Sequence, residues 1–279
     1  MKRIATIQDF SCVGRCSLTV ALPVISAAGI ECCCVPTAVL SDHTGFESYY
    51  IRDLTEDLER FSEQFKANEI SFDAIYPAYL ANSSQVEFVL KFIEDFRRDN
   101  SVILVDPVMG DHGKLYAQIT EDYAEKMRLL CAEADVITPN LTEALLLLGR
   151  EYHPSPNDAE IEQMLRGLVG LGTRRAVITG IENPSDNSRI GWYALEQGGE
   201  VISSFSEKYD ISPMGTGDIF ASATLAAILR GKNFEEALHI AESFTNQSVA
   251  FSAADPNRRF YGVNFEQALP QYMKMLNCD

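Results

Sequence analysis

The sequence predicts an α/β domain built on a largely parallel sheet, on three observations. Short apolar runs of strand length recur along the chain, and amphipathic stretches with helical spacing separate them. At 279 residues and 46% hydrophobic, the chain can fill one large core more readily than several small ones. No internal repeat, low-complexity tract or linker divides it, so residues 1–279 read as one domain.

Taken in order, Ile4–Ile7 is the first strand, and a helix over Cys16–Ala28 follows it and stops near Gly29. Cys32–Leu40 reads as the next strand. The segment Ser41–Arg52, rich in polar and aromatic residues, is the best candidate for a mobile flap. Over Ser83–Arg98, apolar residues at Val86, Val89, Leu90, Ile93 and Phe96 have the spacing that buries one helical face against a sheet. Val102–Val105, Ala134–Thr138 and Ala176–Thr179 are further buried strands, with helices near Leu141–Leu148 and Asp158–Leu171 between the later ones. The second of these helices opens on Asn157 and Glu160, three apart, as a capping box does. Ile190–Leu195 and Val201–Phe205 flank Gln197, Gly198 and Gly199 and form an antiparallel hairpin. The last quarter is helical over Asp218–Arg230, Phe234 to about Phe251, and Asn264–Leu276.

The formal net charge of −17 repels nucleic acid and anionic membranes, and no basic block offsets it. A polyanionic ligand must then be met locally, by helix N-termini and a metal ion, because Lys and Arg are scarce near the motifs below. No apolar run of about 18 residues and no signal-peptide pattern is present, so a cytoplasmic location without membrane contact is expected. Seven cysteines, three of them in the tandem Cys32, Cys33 and Cys34, suit neither a disulfide framework nor a CxxC metal site, and read as thiols packed in a strand.

Chemistry concentrates in three places. Met214, Gly215, Thr216, Gly217 and Asp218 lead straight into a helix of small residues, so backbone amides can converge on an anion at a helix N-terminus. Asp218 in that first turn can take a proton from a substrate hydroxyl during phosphoryl transfer, or simply complement the helix dipole. Asp106 follows a buried strand into the polar turn Pro107–Asp111, where it can hold Mg²⁺ at the ligand edge of the sheet or merely begin a turn. Thr138, Pro139, Asn140, Leu141, Thr142 and Glu143 again place a strand end before a helix, and Asn140 with Glu143 also fits an ordinary cap. Three such strand ends in one chain point to one phosphate-and-metal site, which independent capping does not explain. No Walker A is present, and Phe220 occupies the third glycine position of a dinucleotide fingerprint.

In their order and spacing, Ile7–Gln8 with Gly14, Leu40–Gly45, Tyr79–Leu80, Asp106–Gly110, Pro139–Glu143 and Gly215–Asp218 resemble the pyridoxal kinases of the ribokinase-like superfamily over nearly the whole chain. The resemblance implies a three-layer α/β/α fold with a central, mostly parallel sheet and a small flap. It implies phosphorylation of a hydroxymethyl group on a small heterocyclic alcohol, with ATP as co-substrate, Mg²⁺, and an optional monovalent cation. Asp218 is then the base, the amides from Gly215 through Thr216 and Gly217 to Asp218 form the anion hole, and Asp106 and Glu143 organise Mg²⁺ and the ATP phosphates. Thr138, Asn140 and Thr179 match nucleotide contacts, although relatives often carry lysine at the last position. Thr44 and Gly45 match the flap over the pyridine ring, Tyr79 an aromatic beside it, and a homodimer is expected because relatives often pair.

The chain departs from the pattern at Asp9, where relatives commonly carry serine, and at Phe10 and Val13. Asp9 reads as a substrate contact able to pair with a protonated pyridine nitrogen, or as the mark of a different ring. A hydroxymethylpyrimidine kinase is the close rival, although such enzymes usually have Cys at the position of Asp218 and a glycine-rich first loop unlike Phe10–Arg15. A non-catalytic vitamin-binding protein is the rival of another class. His43 reads as orienting the flap or touching substrate, and His112 as solvent-facing.

Overall fold

The computed structural model describes residues 1–116, 119 and 121–278. Its first half contains β1 (Arg3–Val13), α1 (Leu18–Ala27), β2 (Glu31–Asp42), β3 (Ile51–Asp53), α2 (Thr55–Ala67), β4 (Ala74–Pro77), α3 (Ser83–Phe96) and β5 (Val102–Val105). A small ribbon, β6 (Gly110–Asp111) and β7 (Lys114–Leu115), precedes α4 (Glu121–Ala132), β8 (Val136–Ile137), α5 (Leu141–Leu147) and α6 (Asp158–Val169). The chain ends through β9 (Arg175–Asn183), β10 (Asp186–Glu196), β11 (Ile202–Glu207), α7 (Thr216–Leu229), α8 (Phe234–Ala254), a 3₁₀ turn at Phe265–Gln267 and α9 (Leu269–Met275).

Side-chain alternation gives the sheet two apolar faces. On β1, Ala5 and Ile7 enter one core and Ile4 the other, and on β5 Ile103 and Val105 alternate with Leu104 in the same way. Helices α2 to α6 cover the first face, and α1, α7, α8 and α9 the second. The result is the three-layer α/β/α arrangement the sequence predicts. Among the described residues the strand order is β11-β10-β9-β8-β5-β4-β1-β2-β3, with β10 antiparallel to both β9 and β11, β3 antiparallel to β2, and the other pairs parallel.

This order fixes where a ligand can sit. β1 has β2 on one side and β4 on the other, so the winding reverses between β1 and β4. Crossover helices diverge at such a reversal and leave a crevice beyond the carboxyl ends of the two strands. β4 stops at Pro77, opposite Ile7, whereas β1 continues beside β2 to Val13. Residues 8–13 therefore form one wall of the crevice.

The segment read as a first loop is thus largely strand. The first helix starts at Leu18 rather than Cys16, because Ser17 has φ 46° and cannot belong to a right-handed helix. Only Val136 and Ile137 pair in the predicted 134–138 strand, since the Asp135 carboxylate takes the Ile103 amide at 2.8 Å. The predicted helix over 264–276 breaks into a 3₁₀ turn and α9, whose first turn contains Pro270, a residue unable to continue a helix from upstream. The hairpin of β10 and β11 and the Asn157–Glu160 capping box form as predicted. The sequence reading passed over α2, α4 and β4. Among the described residues no helix is long and apolar enough to cross a membrane.

Candidate active site

Asp9 lies where the pairing of β1 with β2 slips: Gln8 faces Pro36, but Phe10 faces Val39. Such an irregularity re-aims side chains, and it falls at the point where β1 outruns β4. The Asp9 carboxyl is 5% exposed and accepts a hydrogen bond from the Ser11 hydroxyl at 3.3 Å, and the Ser17 hydroxyl adds support. Burial raises its pKa, and the two hydroxyls and His43 oppose the rise. Tyr79, just past β4, feels the same carboxylate, and its phenol is pushed up to about 12, mostly by burial. Burial and the neighbouring Asp218 and Asp9 raise the Cys16 thiol well above its ordinary range. The Cys16 thiol is therefore favoured in its neutral form.

The sequence folds locally to put a helix N-terminus against this wall. Gly215 caps α7 with φ 78°, and a Cβ there would lie 2.1 Å from the Arg15 carbonyl oxygen, so only glycine fits. The amides that follow open α7, and Asp218 stands in its first turn. The Ser17 backbone amide lies close enough to the Asp218 carboxyl to favour its ionised form. Ser17 holds φ 46° and ψ −129°, a conformation that costs a non-glycine residue about 1–3 kcal/mol. The strained residue stands beside the Asp218 carboxyl. Burial pushes the Asp218 pKa up to about 7, the Ser17 amide tempers the rise, and the charge of Asp9 adds to it.

Asp106 reaches the same helix start from the other side. Its Oδ2 is 3.8 Å from the point where a Gly217 Cβ would be, so the carboxyl borders the amide nest directly. Its pKa is raised by burial and by the charges of Glu143 and Asp218, with the Thr138 hydroxyl alongside moderating the effect. Glu143 closes a capping box on Asn140, whose amide it binds at 2.8 Å, and its other oxygen accepts the Met109 amide at 3.1 Å. Burial nevertheless lifts Glu143 to about 8. The two sequence-level readings of Glu143 therefore coexist: it is a cap, and it ties the 106–110 turn to α5. Asn140 donates to the Gly110 carbonyl at 2.9 Å and bridges Thr179, whose amide donates to the Pro139 carbonyl at 2.9 Å. Asp106, Thr138, Asn140, Glu143 and Thr179 thus share one edge, and Asp9, Tyr79 and Asp218 share the adjoining crevice.

No ion pair joins Asp9, Asp106, Glu143 or Asp218 to a Lys or Arg among the described residues. Nor do three or more His, Cys, Asp or Glu residues converge there as a ready metal cage. Thr44 and Gly45 are exposed on the β2–β3 connection, and the Gly45 amide donates to His43 Nδ1 at 2.9 Å. Phe46 packs on Phe260 and Tyr261 with ring centroids 4.7 and 5.5 Å away, tying this connection to the C-terminal segment. His112 is exposed at the ribbon turn with φ 49°.

Sequence reasoning missed Ser11, Ser17 and the Phe46–Phe260 contact. Ser17 before an apolar helix is a legible cap signal, but its backbone strain is not. Tyr76 and Ser222 also escaped it; with Gln8 they are wholly buried beneath the site, with polar atoms that have no hydrogen-bond partner among the described residues.

Residues 20–264 match the family model for phosphomethylpyrimidine kinase. The chain is 29% identical to the pyridoxal kinase of Sus scrofa over 80% of its own length and 74% of that protein. A Bacteroides thetaiotaomicron protein provisionally named a phosphomethylpyrimidine kinase superposes with TM-score 0.93 at 35% identity, covering 97% of this chain and 93% of that one. An orthorhombic form of it, solved with pyridoxal, gives TM-score 0.91 at 34% identity, covering 97% and 95%. The pyridoxal kinase of Lactobacillus plantarum superposes with TM-score 0.91 at 29% identity, covering 99% and 98%.

Proposed function

Because the chain belongs to the phosphomethylpyrimidine kinase family, within the ribokinase-like superfamily, we propose that it is a pyridoxal kinase. It transfers the γ-phosphoryl group of ATP to the hydroxymethyl group of pyridoxal, pyridoxine or pyridoxamine. The observation that carries this reading is the meeting, at one helix N-terminus, of an amide nest, a carboxyl poised near neutrality and a second carboxyl at the nest's rim.

The heterocycle lies in the crevice between Asp9 and Tyr79, with Thr44 and Gly45 closing over it on the 41–52 flap. Its hydroxymethyl arm meets Asp218, which accepts the hydroxyl proton as that oxygen bonds to the γ-phosphorus and the bond to ADP breaks. Amides of Gly215, Thr216, Gly217 and Asp218 stabilise charge on the transferred group, helped by the dipole of α7. Thr138, Asn140 and Thr179 line the nucleotide's path along the sheet edge. The donor set suits Mg²⁺, which takes hard oxygen ligands, one or two carboxylates, water and phosphates, and needs no protein cage. Asp106 would hold it directly, and Glu143, with both oxygens already accepting amides, through water. Mg²⁺ would supply charge neutralisation between the phosphates. An optional monovalent cation, a homodimer and a cytoplasmic location complete the proposal.

The name of the matching family favours a second reading, phosphorylation of a hydroxymethylpyrimidine. Kinase assays over the three B6 vitamers and hydroxymethylpyrimidine separate the two. At least about tenfold higher kcat/KM for one vitamer, or about 1.4 kcal/mol of discrimination, is expected. A higher value for the pyrimidine establishes the rival, and binding without turnover establishes a non-catalytic binding protein.

A further inference from the structure

Asp9 is a buried carboxyl that the protein itself does not neutralise. The groups that face it are the Ser11 hydroxyl from its own strand, Cys16 and Ser17 from the turn into α1, His43 from the flap, Tyr79 after β4 and Asp218 from α7. One of these, Asp218, is a carboxyl, three are neutral hydroxyls, one is a thiol held neutral, and the sixth is the His43 imidazole. Among the described residues the one candidate cation facing it is His43, and burial lowers its pKa. Its Nδ1 also already accepts the Gly45 amide, so a neutral ring satisfies that contact and a doubly protonated one would break it. An ionised carboxyl withdrawn from water without a cation is costly, so Asp9 favours its protonated form in an empty crevice and leaves a basic group on a bound ligand as the partner that can share that proton.

Resting on the kinase reading above, we infer that Asp9 selects the ring: its carboxyl and a basic ring nitrogen of the substrate share one proton. The substrate class is therefore a hydroxymethyl-bearing heterocycle with a nitrogen of pyridine-like basicity at the edge turned toward β1. A ring that arrives protonated meets ionised Asp9, and a neutral ring meets the protonated acid. Either way one proton lies between the two and the pair carries no net charge, which suits a pocket that already holds Asp218. The same condition disfavours a pyrimidine, whose ring nitrogens are weaker bases. The pairing slip between Gln8 and Phe10 places this residue at the ring end of the crevice while α7 addresses the arm.

The test compares pyridoxine with its 1-deaza analogue, in which C–H replaces the ring nitrogen and the hydroxymethyl arm is kept. Steady-state kcat/KM at saturating ATP is measured for the wild-type chain and for Asp9→Ala. The wild type should prefer pyridoxine by at least about tenfold, chiefly through KM, because the analogue leaves a buried carboxyl unpaired. Asp9→Ala should reduce that preference to below about threefold. The wild-type comparison needs no variant, so a poorly folding Asp9→Ala does not remove the test. Equal use of both compounds by a wild type that phosphorylates pyridoxine overturns the inference and leaves the kinase reading standing. A preference kept in Asp9→Ala also overturns it. Turnover of neither compound overturns the kinase reading, and the inference with it.

Discussion

At the first turn of α7 the chain holds a carboxyl group that has lost its water without gaining a cation. The Asp218 pKa is pushed up to about 7 by burial, and this has opposite consequences for activity and stability. A base must be ionised, so kcat/KM should rise as pH increases toward about 7 and level off above it. Stability follows linkage: the folded-state pKa exceeds the unfolded one, so the folded chain binds the extra proton between the two values. That contribution is complete below the unfolded pKa and is lost as pH rises through about 7. Thermal unfolding should show the wild type losing stability relative to Asp218→Asn between about pH 4 and 7, since the amide cannot ionise. A wild-type-minus-variant difference that stays constant across that range would contradict the assignment.

Between residue and fold, the elements determine what frames the site. The β2–β3 connection is anchored at its base, where the His43 amide donates to the Val13 carbonyl at 2.8 Å, and it is latched at its tip by Phe46 against Phe260 and Tyr261. Aromatic contacts of this kind are each worth about 0.5–1.5 kcal/mol. Phe46→Ala should therefore raise the KM for the heterocycle roughly two- to tenfold and leave the KM for ATP nearly unchanged. An unchanged heterocycle KM would mean that the connection does not cover the substrate. The contact joins residues more than two hundred positions apart, and no local pattern announces it. By contrast, the strand ends at Asp106, Thr138 and Thr179 were legible, because a buried apolar run followed by a polar turn marks the carboxyl edge of a parallel strand. The start of α7 was legible for a similar reason: two glycines before a helix of small residues admit few other readings. Hidden from the sequence were the pairing slip at Asp9 and the strained Ser17, both consequences of how β1, α1 and α7 pack together.

At the scale of the whole molecule, two half-sites meet. The reversal of winding between β1 and β4 opens the crevice holding Asp9 and Tyr79, and the ends of β5, β8 and β9 with the start of α5 supply Asp106, Thr138, Asn140, Glu143 and Thr179. The N-terminus of α7 lies between them, with Asp218 toward the crevice and Gly217 toward Asp106. A chain of net charge −17 offers a polyphosphate little long-range attraction, which gives weight to these few oriented amides and to a bound cation. The most direct test of this arrangement is Asp218→Asn, assayed side by side for turnover and for equilibrium binding of Mg²⁺–ATP. The account predicts that kcat falls by about 10²–10⁴-fold while the nucleotide Kd changes by less than about threefold. Turnover close to wild type in that variant would contradict it.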